Sequence, residues 1–454
     1  MAAGYREEAI RDLLALPEAS PLPPVGHGLS LARLTLVPPT QLGLLTRLLL
    51  LGDTVSKDNE QLPGELVSIL LDSQLVDLSP AGLRPLVRIT PFQDLLLVGD
   101  LHNEDSTEVS ADAVENPHRP TDVLARLIPR EPVARSLDIG TGSGAHALQL
   151  AGHSDTVLGI DVSPRAVDFA RFNARLNGIN SVQFGLSDVV RVLEGEDPFD
   201  LIVSNPPYLI SPETAVVYRD GAGSGHVGTR VLTEAPSLLA PDGLLVCLTS
   251  WGITDADDPA GPIQRIARRV QCHGLTMIYA RRTALDNALR WNAHRTEAHD
   301  LYQVARTWLD FYRQHRINEL AYGIVIFTPA CGASPWFRTE HVTLSGQERD
   351  RGQIRHIMSA IDRSHRGDMP TRLRVHPDHT IVSISKIDSH KRTTSEQFLR
   401  STRGIRFAAE CGPRLLDMIA REGPPLESGA GVMATMMRRL YELGLVADNG
   451  DTNG

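Results

Sequence analysis

Two short stretches of this 454-residue chain carry residue types whose spacing could do chemistry. The first is R-S-L-D-I-G-T-G-S-G (Arg135–Gly144), in which Asp138 precedes glycines at 140, 142 and 144 and Thr141 stands between the first two. Glycine permits positive φ and lets backbone approach a ligand closely. A helix is expected from Ala145, so unpaired N–H groups at its start face the loop. The second stretch is F-D-L-I-V-S-N-P-P-Y (Phe199–Tyr208). Its apolar run reads as a strand, and its two prolines fix the backbone and remove two donors, which holds the Asn205 amide and the Tyr208 ring in place. Between the two, T-V-L-G-I (Thr156–Ile160) reads as a strand buried on both faces and ends at Asp161, 21 residues after Gly140. A carboxylate at that distance past a glycine loop is placed to accept from both hydroxyls of a ribose diol. Ser163 suits the N-cap of the following helix, Pro164–Leu176, better than Asp161 does.

The pairing of D-I-G-T-G-S-G with N-P-P-Y resembles the class I, Rossmann-like methyltransferases that use S-adenosylmethionine (AdoMet) to methylate planar nitrogens. These are the release-factor glutamine, adenine-N6 DNA and rRNA base N-methyltransferases. The resemblance runs from about Glu115 to Thr328 and implies AdoMet as cofactor. It implies cofactor contacts from Asp138, Gly140, Thr141, Gly142, Gly144, Asp161, Val162 and Asn205, and an adenine-amino contact from Asp188. It places Asn205, Pro206 and Tyr208 in the catalytic site. NAD-dependent dehydrogenases also combine glycines with a ribose carboxylate, but their spacing is G-x-G-x-x-G, and N-P-P-Y has no part in hydride transfer. The segment N-P-H-R-P-T-D-V-L (Asn116–Leu124) is similar to the one that closes over the methionine end of AdoMet, although the family's R-P-E-T-E is present only as Arg119-Pro120-Thr121-Asp122.

The chemistry implied is transfer of a methyl group to a poor nucleophile, because an amide or aromatic amine delocalises its lone pair. Asn205 Oδ1 and the Pro206 carbonyl can accept both N–H bonds of an –NH2 group and aim the lone pair at the methyl, while Tyr208 stacks on a planar group. Pro207, Tyr218, Arg219 and His226 are candidate substrate contacts. The expected acceptor is a protein glutamine or a small molecule carrying an amide, amine or guanidine. The alternative is a base of rRNA, tRNA or DNA, since the motif recognises the NH2 and not its carrier. A non-catalytic AdoMet-binding protein stands third.

Charge bears on that choice. The net charge is −10, which counts against a protein that grips nucleic acid by its phosphates. Through residue 280 there are 20 Lys and Arg against 35 Asp and Glu, −15; beyond it 25 against 20, +5. No run of about 18 apolar residues is present, no basic start precedes an apolar stretch at the N-terminus, and the four cysteines (247, 272, 331, 411) form no C-x-x-C pair. A cytoplasmic protein with no membrane partner is expected.

The fold expected is α/β: a Rossmann-like seven-stranded methyltransferase sheet at 111–330 with a helical insertion near 281–320, an N-terminal winged-helix-like module at 1–110, and a C-terminal α+β extension at 331–454. In the module, helices are expected over Tyr5–Leu16, Pro39–Leu51 and Leu62–Ser73, followed by short strands. Gln61–Ser73 has no Lys or Arg, so the module is read as facing protein or substrate rather than the DNA major groove. The insertion, Leu285–Gln314, carries Trp291, Tyr302, Trp308 and Tyr312 and is the candidate substrate-shaping cap. In the extension, strands are expected within Thr371–Ile387 and helices at Thr394–Leu399, Leu415–Arg421 and Gly431–Leu445. R-V-H-P-D-H (Arg374–His379) matches no standard metal spacing, so no metal is expected.

Overall fold

The structure is a computed structural model. It describes every residue except 1–3, 18–19, 102–109, 111, 190–194, 214–226, 294–297, 343–351, 369–372, 376–378, 388–392, 402–407, 411–431, 444 and 449–454. The chain divides into two compact units, residues 1–125 with 132–335, and residues 126–131 with 336–454.

The first unit begins with helices α1 (Glu7–Leu14), α2 (Gly28–Leu36), α3 (Gln41–Leu45, continued by a π turn over Thr46–Leu50) and α4 (Gly64–Asp72). Helix α2 was not expected from the sequence; its Leu29 and Leu36 are exposed, which hides the usual apolar stripe. Two hairpins follow: β1 (Val76–Ser79) with β2 (Gly82–Pro85), and β3 (Val87–Phe92) with β4 (Leu95–Asp100). Ile10, Leu48, Leu50 and Leu83, all fully buried, centre their core.

After α5 (Arg119–Leu127) comes the central sheet: β5 (Val133–Ile139), β6 (Ser154–Asp161), β7 (Val182–Leu186), β8 (Phe199–Ser204), β9 (Leu239–Ile253), β10 (Cys272–Thr283) and β11 (Glu319–Pro329). Helices α6 (Ala145–Leu150), α7 (Pro164–Leu176), α8 (Val227–Glu234) and α9 (Gly261–Arg269) link successive strands. The strands lie side by side in the order β10-β11-β9-β8-β5-β6-β7. Strands β5 to β9 are parallel, and β11 runs antiparallel between β9 and β10. Order reverses at β5, with β6 on one side and β8 on the other. In open α/β sheets ligands bind at the carboxyl ends of the strands flanking such a switch point.

Helix α7 spans the residues expected for it. Ser163 caps it by accepting from Ala166 N at 3.3 Å, and Gly178 with φ +68° follows its end. The P-D-G run at 241–243 lies inside β9 as an irregularity: Phe199 pairs with Leu239, and Leu201 with Leu244. Helix α7 also acts as a sheet partner for β4. Asn177 and Asn173 each present an amide oxygen and NH2 to the backbone of Leu96 and Val98, all four bonds at 2.8–2.9 Å. Such pairing satisfies an edge strand that would otherwise stay open.

Between β10 and β11 lie α10 (Ala284–Trp291) and α11 (Ala298–Gln314), the expected helical insertion. Trp308 and Tyr312 are fully buried.

The second unit contains β12 (Phe337–His341), α12 (Gln353–Arg366), β13 (Leu373–Val375), β14 (His379–Ile387), β15 (Thr393–Ser401), β16 (Ala408–Glu410), α13 (Val432–Glu442) and β17 (Val446–Asp448). Thr394–Leu399, expected as a helix, lies in strand β15. Its E-Q-F-L-R centre is helix-permissive, but Thr393↔Ile387 through Ser401↔His379 pair it antiparallel along the whole of β14. Pairing with a β-branched neighbour strand outweighs a local propensity of a few tenths of a kcal/mol per residue. Helix α12 was not expected, and Leu415–Arg421 lies outside the described residues.

Candidate active site

The glycine loop turns at the end of β5, and local hydrogen bonds set its path. Gly140, Gly142 and Gly144 have φ of +73°, +53° and +88°, values that other residues adopt only under strain. A Cβ on Gly144 would stand 3.2 Å from Ala170 Cβ, so this glycine also lets α7 pack close. The N–H groups of Gly140 and Thr141 both donate to the Ile160 carbonyl at 2.9 Å, tying the loop to β6.

Asp138 lies beneath the loop, fully buried. Its Oδ2 accepts from Thr141 Oγ1 at 2.8 Å and from Ala147 N at 3.0 Å. Its Oδ1 is buried without a hydrogen-bond partner among the described residues. Desolvation pushes its pKa up to about 7, against the hydrogen bonds from Thr141 and Ala147 and helped by the charge of Asp161. Asp161 ends β6. Its Oδ2 accepts from Gly142 N and its Oδ1 from Ser163 N, both at 2.9 Å. Burial raises its pKa and these backbone donors oppose the rise. With Val162 a further backbone donor to it, the carboxylate still has accepting capacity left, which suits a hydroxyl of a vicinal diol. Beside it Val162 is 57% exposed, an apolar wall at the strand end. Asp188 follows β7, and its Oδ1 accepts from Arg230 of α8 at 2.8 Å.

The second motif sits next to the first. Ser204 and Ile139 are register partners, and Ser204 Oγ donates to the Ile139 carbonyl at 2.8 Å. Pro206 Cα stands 4.0 Å from where a Cβ on Gly140 would be. Asn205 Oδ1 is buried and accepts from no donor among the described residues. Leaving a buried acceptor unmade costs about 1–3 kcal/mol, so such atoms mark positions reserved for a partner. Pro206 is buried, and Pro207 and Tyr208 are partly so. Ser250 Oγ of β9 donates to the Tyr208 carbonyl. The Tyr208 ring meets Tyr322 edge-on, with centroids 6.4 Å apart. Burial holds the Tyr208 pKa well above its ordinary value. Tyr218, Arg219 and His226 lie outside the described residues.

Around Tyr208 is a set of residues of which the sequence pointed only to Trp291 and Tyr312, as part of the candidate cap. Tyr322 of β11 donates to Asn287 Oδ1 and accepts from Trp291 Nε1 at 3.2 Å. Asn287 donates to Tyr312 Oη at 2.8 Å, and Tyr312 donates to the Ile210 carbonyl at 2.8 Å. The insertion thereby holds the chain two residues past Tyr208. Its aromatic density was the only signal in the sequence; nothing marked Asn287 or Arg230.

Residues 131–284 match the family model described as a methyltransferase domain. The chain carries a methyltransferase domain. Over 130 residues it is 40% identical to a release factor glutamine methyltransferase of Xylella fastidiosa, covering 26% of this chain and 47% of that one. Over 145 residues it is 38% identical to a release factor glutamine methyltransferase of Rhodospirillum rubrum, covering 29% and 43%. A ribosomal protein uL3 glutamine methyltransferase of Xanthomonas campestris pv. campestris is 34% identical over 153 residues, covering 27% and 49%. The chain spans about half the length of the curated relatives it matches.

The residues of the methyltransferase domain fit AdoMet. The Asp161 carboxylate at the end of β6 would suit a ribose diol, and that of Asp188 an amino group. The buried, unpartnered Oδ1 of Asp138 suits a site that takes a cationic ligand, whose charge would favour the carboxylate. Among the described residues no helix is long and apolar enough to cross a membrane.

Proposed function

We propose that this chain is an AdoMet-dependent N-methyltransferase acting on a planar NH2, with a protein glutamine as the first-choice acceptor and a small-molecule amide, amine or guanidine as the wider class. The observation that carries this reading is Asn205 Oδ1, buried without a donor beside the glycine loop. AdoMet, when bound, supplies an electrophilic sulfonium methyl. Asn205 Oδ1 and the Pro206 carbonyl accept the two N–H bonds of the acceptor, which turns its lone pair out of conjugation and stabilises charge developing on nitrogen. Pro206 and Pro207 hold that pair of acceptors rigid, so little reorganisation is needed at the moment of transfer. Asp161 and Gly142, locked to one another, orient the cofactor end of the site. The relatives' glutamine substrates support the choice of acceptor. Residues 1–110, read as a winged-helix-like module, would present a protein-facing surface, and residues 331–454 a separate extension.

The test is transfer of labelled methyl from AdoMet to a release factor, to ribosomal protein uL3, to total RNA and to a metabolite extract. Label in glutamine of either protein supports the reading. Label confined to RNA, with binding that weakens steeply with salt, would move the base-methylating alternative to first place.

A further inference from the structure

Arg282, near the end of β10, faces the aromatic wall of the acceptor side. It pairs in register with Leu320 of β11, and its guanidinium carbon lies 4.7 Å from the centroid of the Tyr322 ring. Tyr322 in turn meets Tyr208 edge-on. The positive charge acts on Tyr208, Tyr279 and Tyr322 alike, lowering the pKa of each against the larger, raising effect of burial. Those phenols therefore stay protonated and supply no negative charge to balance the guanidinium. The neighbouring Arg281 is balanced, since two of its nitrogens reach Glu319 Oε2. Arg282 has no carboxylate within ion-pair distance among the described residues. Glu115 acts on Tyr208 as well, but its carboxylate lies 3.8 Å from His118.

The wall that carries this cation is not loose. Tyr322, Asn287, Tyr312 and the Ile210 carbonyl form one continuous run of hydrogen bonds, with Asn287 fully buried. A partly buried guanidinium that spends one donor on the Tyr322 hydroxyl and meets no carboxylate among the described residues is suited to further oxygen acceptors, carbonyl or carboxylate. It is unsuited to sit against the reacting nitrogen, which gains positive charge during transfer. Its task therefore falls on a part of the acceptor away from the NH2.

We propose that Arg282 is a specificity-determining residue that binds a carbonyl or carboxylate oxygen on the acceptor segment flanking the reactive NH2. The inference rests on the N-methyltransferase reading above and adds how the acceptor is recognised. It assigns Asn205 and Pro206 to the NH2 and Arg282 to the rest of the acceptor molecule.

The experiment is steady-state methylation of a release factor and of two small probes, N-acetylglutamine and its N-methylamide, by wild type, Arg282→Lys and Arg282→Met. Calorimetry of AdoMet binding is measured on each as a folding control. The expected result for Arg282→Met is a KM for the acceptor raised tenfold or more, about 1.4 kcal/mol, with kcat within twofold and cofactor affinity unchanged. Arg282→Lys should recover part of the KM. A wild-type KM that rises with ionic strength identifies the oxygen as a carboxylate, and a flat one as a neutral carbonyl. If wild type methylates an acceptor and Arg282→Met keeps its KM, or loses kcat alone, the assignment of Arg282 is overturned while the N-methyltransferase reading stands. If wild type methylates no planar NH2 in a protein or small probe, that reading falls and this inference falls with it.

Discussion

The two sides of the site are built differently. On the cofactor side, the polar groups of the glycine loop are tied to the protein itself. Gly140 and Thr141 donate to Ile160, Gly142 donates to Asp161, and Asp138 is anchored through Oδ2 to Thr141 and Ala147, its Oδ1 alone being left without a partner among the described residues. On the acceptor side, Asn205 Oδ1 is buried with no donor, and the frame that holds Tyr208 comes from an insertion roughly a hundred residues away in sequence. A side that must bind one invariant ligand can be preorganised locally. A side that must recognise a particular acceptor is shaped by whatever element the chain inserts beside it.

Substitutions on either side should therefore separate cofactor affinity from turnover. The largest effect is expected from Asn205→Ala. Removing one preorganised acceptor should lower kcat by about 10²–10³, with AdoMet affinity by calorimetry close to wild type. Equal turnover would make N-P-P-Y a structural turn and dissolve the contrast between the two sides. Next is Asp161→Ala, which removes hydrogen bonds to a charged group. AdoMet affinity should fall by about 1.5–3 kcal/mol, while kcat at saturating cofactor is retained. An unchanged calorimetric Kd would remove Asp161 from the ribose site.

A smaller effect, readable by pH, belongs to Asp138. Its folded pKa of about 7 lies above the ordinary 3.8, so between those values the folded chain holds a proton that the unfolded chain has released. Stability from this group is thus present below about pH 4 and is lost as pH rises toward 7. The melting temperature of cofactor-free Asp138→Asn minus that of wild type should become more positive from pH 5 to pH 8. A flat difference would show that Asp138 is not strained by burial. The smallest effect is expected for Arg230→Ala, which breaks a partly exposed ion pair with Asp188. Stability should change by no more than about 1 kcal/mol, with a modest rise in the KM for AdoMet. A large loss of stability would place Arg230 in the structural frame instead.

Legibility in the sequence followed the same division. Helix α7, the glycine loop and Asp161 were readable because each rests on neighbours a few residues away: a Ser163 cap, a Gly178 stop, a carboxylate at the next strand's end. Strand β15 was misread because its partner β14 decides it, and helix α2 was missed because exposed Leu29 and Leu36 break its stripe. Arg230, Asn287 and Arg282 carried no local mark at all.

What the sequence determined by itself was the α/β order, the glycine turn and the chemistry available to N-P-P-Y, since backbone conformation and side-chain type are properties of the local chain. Only the tertiary structure decided that Ser204 pairs with Ile139, so that the two motifs share one strand-end crevice. It alone decided that Tyr322, Asn287 and Tyr312 meet behind Tyr208 with Arg282 over them. Ser204 and Ile139 are 65 positions apart, and Tyr312 reaches the Ile210 carbonyl across 102; sheet order and packing, not spacing along the chain, bring such residues together.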